Sequence, residues 1–337
     1  MKNKKYNISV IGLGVGFSHA LQIKKDRNLN LISIYDPDLK KAKILSKRLN
    51  CKYNKSYNEV LRQNELNGLV IASPDNHHCD QIIKSIKNSK NFFVEKPFCN
   101  NKNELEKIKK ELKSKKKLKF EFNLILRTVP LYKWLKSKIS SKFFGEIYSI
   151  EASYLYGRSE KIIKGWRGKA KNYSGMNGGG IHMIDLICWL LNKKPKEVHS
   201  FGNKICFKRY RFNFEDFENS IFYFNNHLLA SVNVHLGCVH KHHHILKIFG
   251  TKKTFIYDDK GPRIFSNKKE GSHAKKINLL SLPKDKTILM KNFFKNIMKK
   301  KFDKKKINDT FNLVHILNAV RISHIKKKKI KISYEKN

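Results

Sequence analysis

From residue 7 to about residue 125, short apolar runs alternate with stretches of helical period. The runs ISVIG, LNLISIYD, LNGLVIASP, KNFFVEKP and LKFEFNLIL are nearly continuous in apolar, β-branched and aromatic residues. Between them, HALQIKK, DLKKAKILSKRL, CDQIIKSIKN and NELEKIKKELK repeat apolar residues every three or four positions. Strands that are apolar on both faces and separated by helices predict a parallel sheet covered on both sides. Residues 1–126 are therefore read as an N-terminal doubly wound α/β domain. After about residue 127 the pattern changes: GEIYSIEASYLYG, EVHSFGNKICFKRY, NSIFYFNN, HLLASVNVHLG and HHHILKIFG alternate apolar with polar residues. That period belongs to strands with one covered face. Residues 127–337 are read as a second, α+β domain with a large, mostly antiparallel sheet. The helix GGGIHMIDLICWLL, Gly178–Leu191, interrupts it, and NKKEGSHAKKINLLSLPKDK reads as its least regular connection.

Composition changes this picture little. The chain has 337 residues and 40% hydrophobic content, enough for two cores. Its 72 Lys and Arg against 27 Asp and Glu leave a net charge of +45, a field that attracts polyanions. The lysines are spread over every segment, so the excess reads as solvated surface, with no specific nucleic-acid partner and no membrane partner expected. No apolar run approaches the roughly 20 residues that cross a bilayer, and six scattered cysteines suit reduced thiols. A cytoplasmic location is expected. The stretch VHLGCVHKHHH holds five histidines, but no acidic ligand accompanies them and a strand sends neighbours to opposite faces, so no metal site is expected.

Candidate chemistry clusters at strand ends. The turn GLGVGFSHA places Gly12 and Gly14 where a dinucleotide fold needs a tight turn and a close backbone approach to a pyrophosphate, with Val15, Gly16 and Phe17 opening the next helix. The third glycine of the usual pattern falls on Phe17. Either the loop is one residue short and Gly16 serves, or Phe17 fills the position and the helix stands further off. Asp36 ends the second strand, where a carboxylate accepts from ribose hydroxyls and repels a 2′-phosphate, so NAD is expected rather than NADP. Ser73, Pro74 and His78 follow one strand end, and Glu95, Lys96 and Pro97 another. Ligands in open α/β sheets bind beyond such ends, which aims Lys96 toward a nicotinamide. In the second half His182, Asp185 and Trp189 share a helix face. Arg127 and Arg167 are candidate grips for carboxylate or phosphate, Trp166 for a sugar face, and His235 for the pocket lining.

Together these residues resemble the Gfo/Idh/MocA family of NAD(P)-dependent oxidoreductases. The resemblance rests on the glycine turn closed by SHA, on SPDNHH, on EKP, on GEI at 145–147, GWRG at 165–168 and GIHMID at 180–185, and on the tail NLVHILNAVRISHIKKKKIKI. It implies hydride transfer between NAD and a secondary alcohol or ketone of a sugar, cyclitol or sugar nucleotide, with His182 as acid/base, Lys96 nearby, and a homodimer or homotetramer formed through the sheet. It also admits an NAD-assisted glycosidase and a non-catalytic dinucleotide-binding regulator. Many members carry an aspartate four residues before the histidine. Here that position is Gly178, so either the acidic partner is dispensed with or Asp185 supports His182 instead.

Overall fold

The computed structural model describes residues 5–170, 173–266, 269, 273–301 and 305–334. Residues 267, 268 and 270–272 of the connection read as least regular lie outside that set. The chain divides into two compact units, the first Met1–Leu124 with Asp285–Val314, the second Ile125–Lys284 with His315–Asn337.

The first unit contains six strands, β1 (Tyr6–Ile11), β2 (Leu29–Tyr35), β3 (Lys52–Tyr53), β4 (Gly68–Ile71), β5 (Asn91–Val94) and β6 (Phe120–Phe122). They pair in the order β3-β2-β1-β4-β5-β6, every pair parallel. Helices α1 (Gly16–Lys25), α2 (Leu39–Leu49), α3 (Tyr57–Leu61), α4 (His78–Lys87) and α5 (Lys102–Lys113) connect them. The strand order reverses between β1 and β4, so a crevice opens beyond their carboxyl ends, the usual place for a ligand in such sheets. β4 is buried at all four positions, as a strand covered on both faces must be. The stretch Asp285–Val314, which the sequence pattern assigned to the second domain, packs here instead. Met290, Phe293 and Phe294 are fully buried in one cluster with Val10, Val70 and Phe93.

The second unit is built on nine strands, β7 (Ile147–Leu155), β8 (Glu197–Asn203), β9 (Phe217–Tyr223), β10 (Leu229–His235), β11 (His243–Gly250), β12 (Thr254–Asp258), β13 (Gly261–Phe265), β14 (Lys275–Lys276) and β15 (Ile330–Lys331). They run β14-β13-β12-β11-β7-β10-β9-β8-β15, antiparallel except where β7 and β10 pair in parallel. Helices α6 (Pro130–Ser140), α7 (Ser159–Ile163), α8 (Trp166–Lys169) and α9 (Ile181–Leu191) belong to it. Strand alternation is strict: Ala230, Val232 and Val234 of β10 and His244, Leu246 and Ile248 of β11 are buried, while their neighbours are more open. Within the buried set, Val234 lies against the glycines that lead into α9.

Candidate active site

The glycine turn is built for close approach. Gly12 follows β1 at φ +83°, and a Cβ there would stand 2.6 Å from the Ala72 carbonyl and the Ser73 backbone, so only glycine closes the turn against the end of β4. At Gly14 a Cβ would meet nothing within 4 Å, which leaves the backbone open to a ligand. Gly16 packs so tightly that a Cβ would lie 3.0 Å from Val10 and 3.1 Å from Ala72. The shorter-loop alternative therefore holds: Gly16 sets the helix close to the sheet, and Phe17 turns aside beneath Arg48, whose guanidinium lies 5.2 Å from its ring. α1 begins after exposed Val15 with no capping side chain and no acid in its first turn. Its orphan N–H groups and the positive end of its dipole thus suit an anion, and the cradle fits a dinucleotide pyrophosphate.

Asp36 has two tasks in this turn. Its buried carboxylate accepts from the Leu13 N–H at 2.7 Å, the Asp38 N–H at 3.1 Å and the Lys41 ammonium at 3.2 Å. A carboxylate has about four acceptor positions, so tying the turn to β2 still leaves it able to receive a ribose hydroxyl. Lys41 offsets part of its charge.

The ends of β4 and β5 are stapled together. His78, wholly buried, sets one ring nitrogen 2.6 Å from the Pro97 carbonyl and the other 3.0 Å from the Ser73 carbonyl. Both ring nitrogens face backbone carbonyls, and a neutral imidazole donates to one of them, so the buried ring shapes the site through backbone placement. The Ser73 hydroxyl donates to Gln81 at 2.6 Å, and Pro74 starts the short turn Asp75–His77. Glu95 accepts from Asn123 at 2.6 Å and lies 2.9 Å from the His19 ring. Burial alone would raise its carboxyl, but His19 and Asn123, with the Lys96 charge, bring it down to about 2. Lys96 follows, half-buried, at a cis peptide to Pro97. His19 and Asn123 escaped the sequence reading; the SHA triplet was the visible trace of the first.

In the second unit, Met176–Gly180 form one widened π-turn that runs into α9. Glu218, inward on β9, anchors it, accepting from the Ser174 hydroxyl at 3.1 Å and from the N–H groups of Gly175 and Met176. Burial pushes the Glu218 carboxyl up to about 7 against the pull of these bonds. His182 stands in the first turn of α9, half-exposed, its ring 6.4 Å from that of Tyr154 and inclined by 25°. A Cβ on Gly178 would lie 2.1 Å from the Tyr173 hydroxyl. Tyr173 thus fills the volume an aspartate at 178 would need, and Phe214 and Trp166 pack against its ring at 5.0 and 6.1 Å.

Both oxygens of Asp185 are held by Arg127, Nε–Oδ2 at 3.0 Å and Nη2–Oδ1 at 2.5 Å. These two candidates for gripping substrate therefore engage each other. The Arg167 guanidinium lies 4.6 Å above Trp166 and 5.9 Å from Tyr173, close to the helix entry. His235 is not brought there: it alternates with Val234 onto the other face of β10, where its ring meets Phe217 at 4.9 Å and burial lowers its pKa. Among the described residues, no group of three or more His, Cys, Asp or Glu is arranged to hold a metal ion, and no helix is long and apolar enough to cross a membrane.

Two family models match the chain. Residues 6–122 match the oxidoreductase family's NAD-binding Rossmann fold, and residues 132–256 the Gfo/Idh/MocA C-terminal domain. The chain belongs to the Gfo/Idh/MocA family. A glucose-6-phosphate 3-dehydrogenase of Bacillus subtilis is 24% identical over 77% of this chain and 76% of its own. An inositol 2-dehydrogenase of Rubrobacter xylanophilus is 22% identical over 59% of this chain and 56% of its own. In fold, this Gfo/Idh/MocA protein is similar to a scyllo-inositol dehydrogenase of Lactobacillus casei, solved with NAD(H) and scyllo-inositol. That likeness has a TM-score of 0.79 and 17% identity, covering 98% of this chain and 99% of the other.

Two measurements test the helix entry. Gly178→Asp is expected to lower the melting temperature and any turnover, because Tyr173 is wedged among aromatic rings. Adding Tyr173→Ala should recover part of the melting temperature, and a fully stable Gly178→Asp protein would contradict the packing. For Glu218, the folded carboxyl at about 7 lies above its ordinary 4.5. Its contribution is therefore complete below the unfolded value and lost as pH rises through the folded one. Relative to Glu218→Gln, the wild type should lose on the order of 3 kcal/mol between about pH 5 and pH 8. Denaturant titrations across that range that show a constant difference would refute it.

Proposed function

We propose that the protein is an NAD-dependent dehydrogenase acting on a secondary alcohol of a sugar, cyclitol or sugar nucleotide, with His182 as acid/base and Lys96 opposite the developing alkoxide. The observation that carries the reading is His182 itself. It stands at the entry of a helix whose first turn is anchored by buried Glu218 and flanked by the rings of Tyr154 and Tyr173. The uncapped start of α1 in the same chain supports it, as do the dehydrogenase names of the relatives. Oxidation of an alcohol requires its hydroxyl proton to leave toward a base while two electrons and a hydrogen leave carbon. A neutral imidazole nitrogen of His182 receives the proton. The Lys96 ammonium compensates the charge that grows on oxygen. Bound NAD supplies the two-electron acceptor, held by Gly12, Gly14, Val15 and Gly16 at its pyrophosphate and by Asp36 at its ribose. The half-exposed face of the second sheet, carrying Asn219, Ile221, Ser231 and Asn233, suits the homodimer or homotetramer that this reading includes.

His182→Asn is expected to lower turnover by about a hundredfold or more with NAD affinity nearly unchanged. Lys96→Met should likewise lose turnover rather than stability. Steady-state rates with a panel of sugars and cyclitols, alongside calorimetric NAD binding, check both; full turnover in His182→Asn would end the assignment.

Cofactor choice is a separate expectation. NAD should bind at least about tenfold more tightly than NADP, roughly 1.4 kcal/mol. Asp36→Ser should erode the difference, and Lys41→Ala, which removes the offsetting charge, should widen it. Tighter NADP binding by the wild type would reverse the assignment.

A further inference from the structure

Near the helix entry the second unit holds a cation that no anion faces among the described residues. Arg158 follows β7, and among the described residues its side chain has neither a hydrogen bond nor an ion pair, although its Nε is buried. Arg127 and Arg263, by contrast, are closed by Asp185 and Asp258. The Arg158 guanidinium lies 5.2 Å from the centre of the Tyr156 ring, and its charge acts on both Tyr154 and His244. His244, paired opposite Tyr154 across β7 and β11, is 7% exposed, and neither of its ring nitrogens has a hydrogen-bond partner among the described residues. Burial, with the charges of His182, His242, His243 and Arg158, holds it well below the ordinary histidine value, so it is a neutral ring with one donor and one acceptor.

Buried polar groups are almost always bonded. A buried, unbonded Nε on a half-buried arginine and an unbonded buried imidazole, both around the tyrosine that also faces His182, therefore suit a ligand that supplies both an anion and a hydroxyl. We propose that Arg158 and His244 are the substrate-recognition end of the site, and that the substrate is a sugar or cyclitol bearing an oxyanion, a phosphate monoester or a carboxylate. The planar guanidinium takes the oxyanion, and His244 exchanges hydrogen bonds with a ring hydroxyl. This rests on the dehydrogenase reading above for the identity of the ring, but not for the anion.

The test is calorimetric binding of glucose 6-phosphate, glucuronate and glucose to the whole protein at about 0.15 M salt, where diffuse attraction to a basic surface is screened. The wild type should bind at least one anionic sugar about tenfold or more tightly than glucose, and which one identifies the oxyanion. Arg158→Gln should abolish that preference. Lys110→Gln, an equal loss of charge at an exposed position of α5, should keep it. Equal or absent binding of the anionic sugars, or the same loss in both variants, overturns the proposal. Should Arg158→Gln melt too low to assay, Arg158→Lys decides: weaker oxyanion binding with unchanged glucose binding supports the fork, and unchanged oxyanion binding overturns it. An Arg158-dependent preference without NAD reduction by any sugar would leave the oxyanion site standing and remove the dehydrogenase reading. Turnover of a neutral sugar regardless of Arg158 would do the reverse.

Discussion

The second unit depends on how closely the entry of α9 approaches the rings around it. At Gly178, Gly179 and Gly180, any side chain would collide with Tyr173, Tyr154 or Met176 within 2.6 Å. Because no side chain is there, the π-turn lies flat enough for Glu218 to reach its N–H groups, and His182 arrives beside Tyr154 rather than a turn above it. Tyr154 in turn touches His244 and His242 at 5.3 and 5.2 Å. A single larger residue in the triplet would therefore disturb three histidines through one ring.

The first unit was largely legible from its pattern, because its central strands β1 and β4 are mostly buried on both faces and its turns carry their own chemistry. Gly12, Asp36 and Lys96 all stand at strand ends, as the alternation of runs requires. What the pattern left open was the missing third glycine, since spacing alone does not reveal which of two neighbouring residues meets the sheet. Gly16 meets it, with Val10 and Ala72 as the surfaces. His78 shows a related limit: a histidine at a strand end looks open to a ligand, and only the structure shows both its ring nitrogens turned to the carbonyls of Ser73 and Pro97.

Partners across the second unit were less visible. Arg127 and Asp185 were each noticed, but not that they close on each other across 58 positions. Glu218 and Arg158 went unremarked and His244 was weighed only as one of five histidines considered for a metal, although strand alternation contained a signal. Glu218 falls in the inward register with Ser220 and Phe222, and His244 with Leu246 and Ile248. A charged or imidazole group in an apolar register has to be answered by something, and the sequence does not say by what. The same alternation, applied strictly, would have sent His235 to the opposite face from Val234.

The return of Ile288–Met298 to the first unit bears on how the molecule comes into being. Phe293 and Phe294 complete a cluster otherwise made of strands and helices from the first fifty residues, with Val70 and Phe93. A ribosome releases those early strands long before the helix that seals them. The nascent dinucleotide fold must therefore wait, with an apolar face of its sheet unsealed, while nearly two hundred further residues are synthesised. Residues 1–126 expressed alone would lack that seal, leaving an apolar face of the sheet open to solvent.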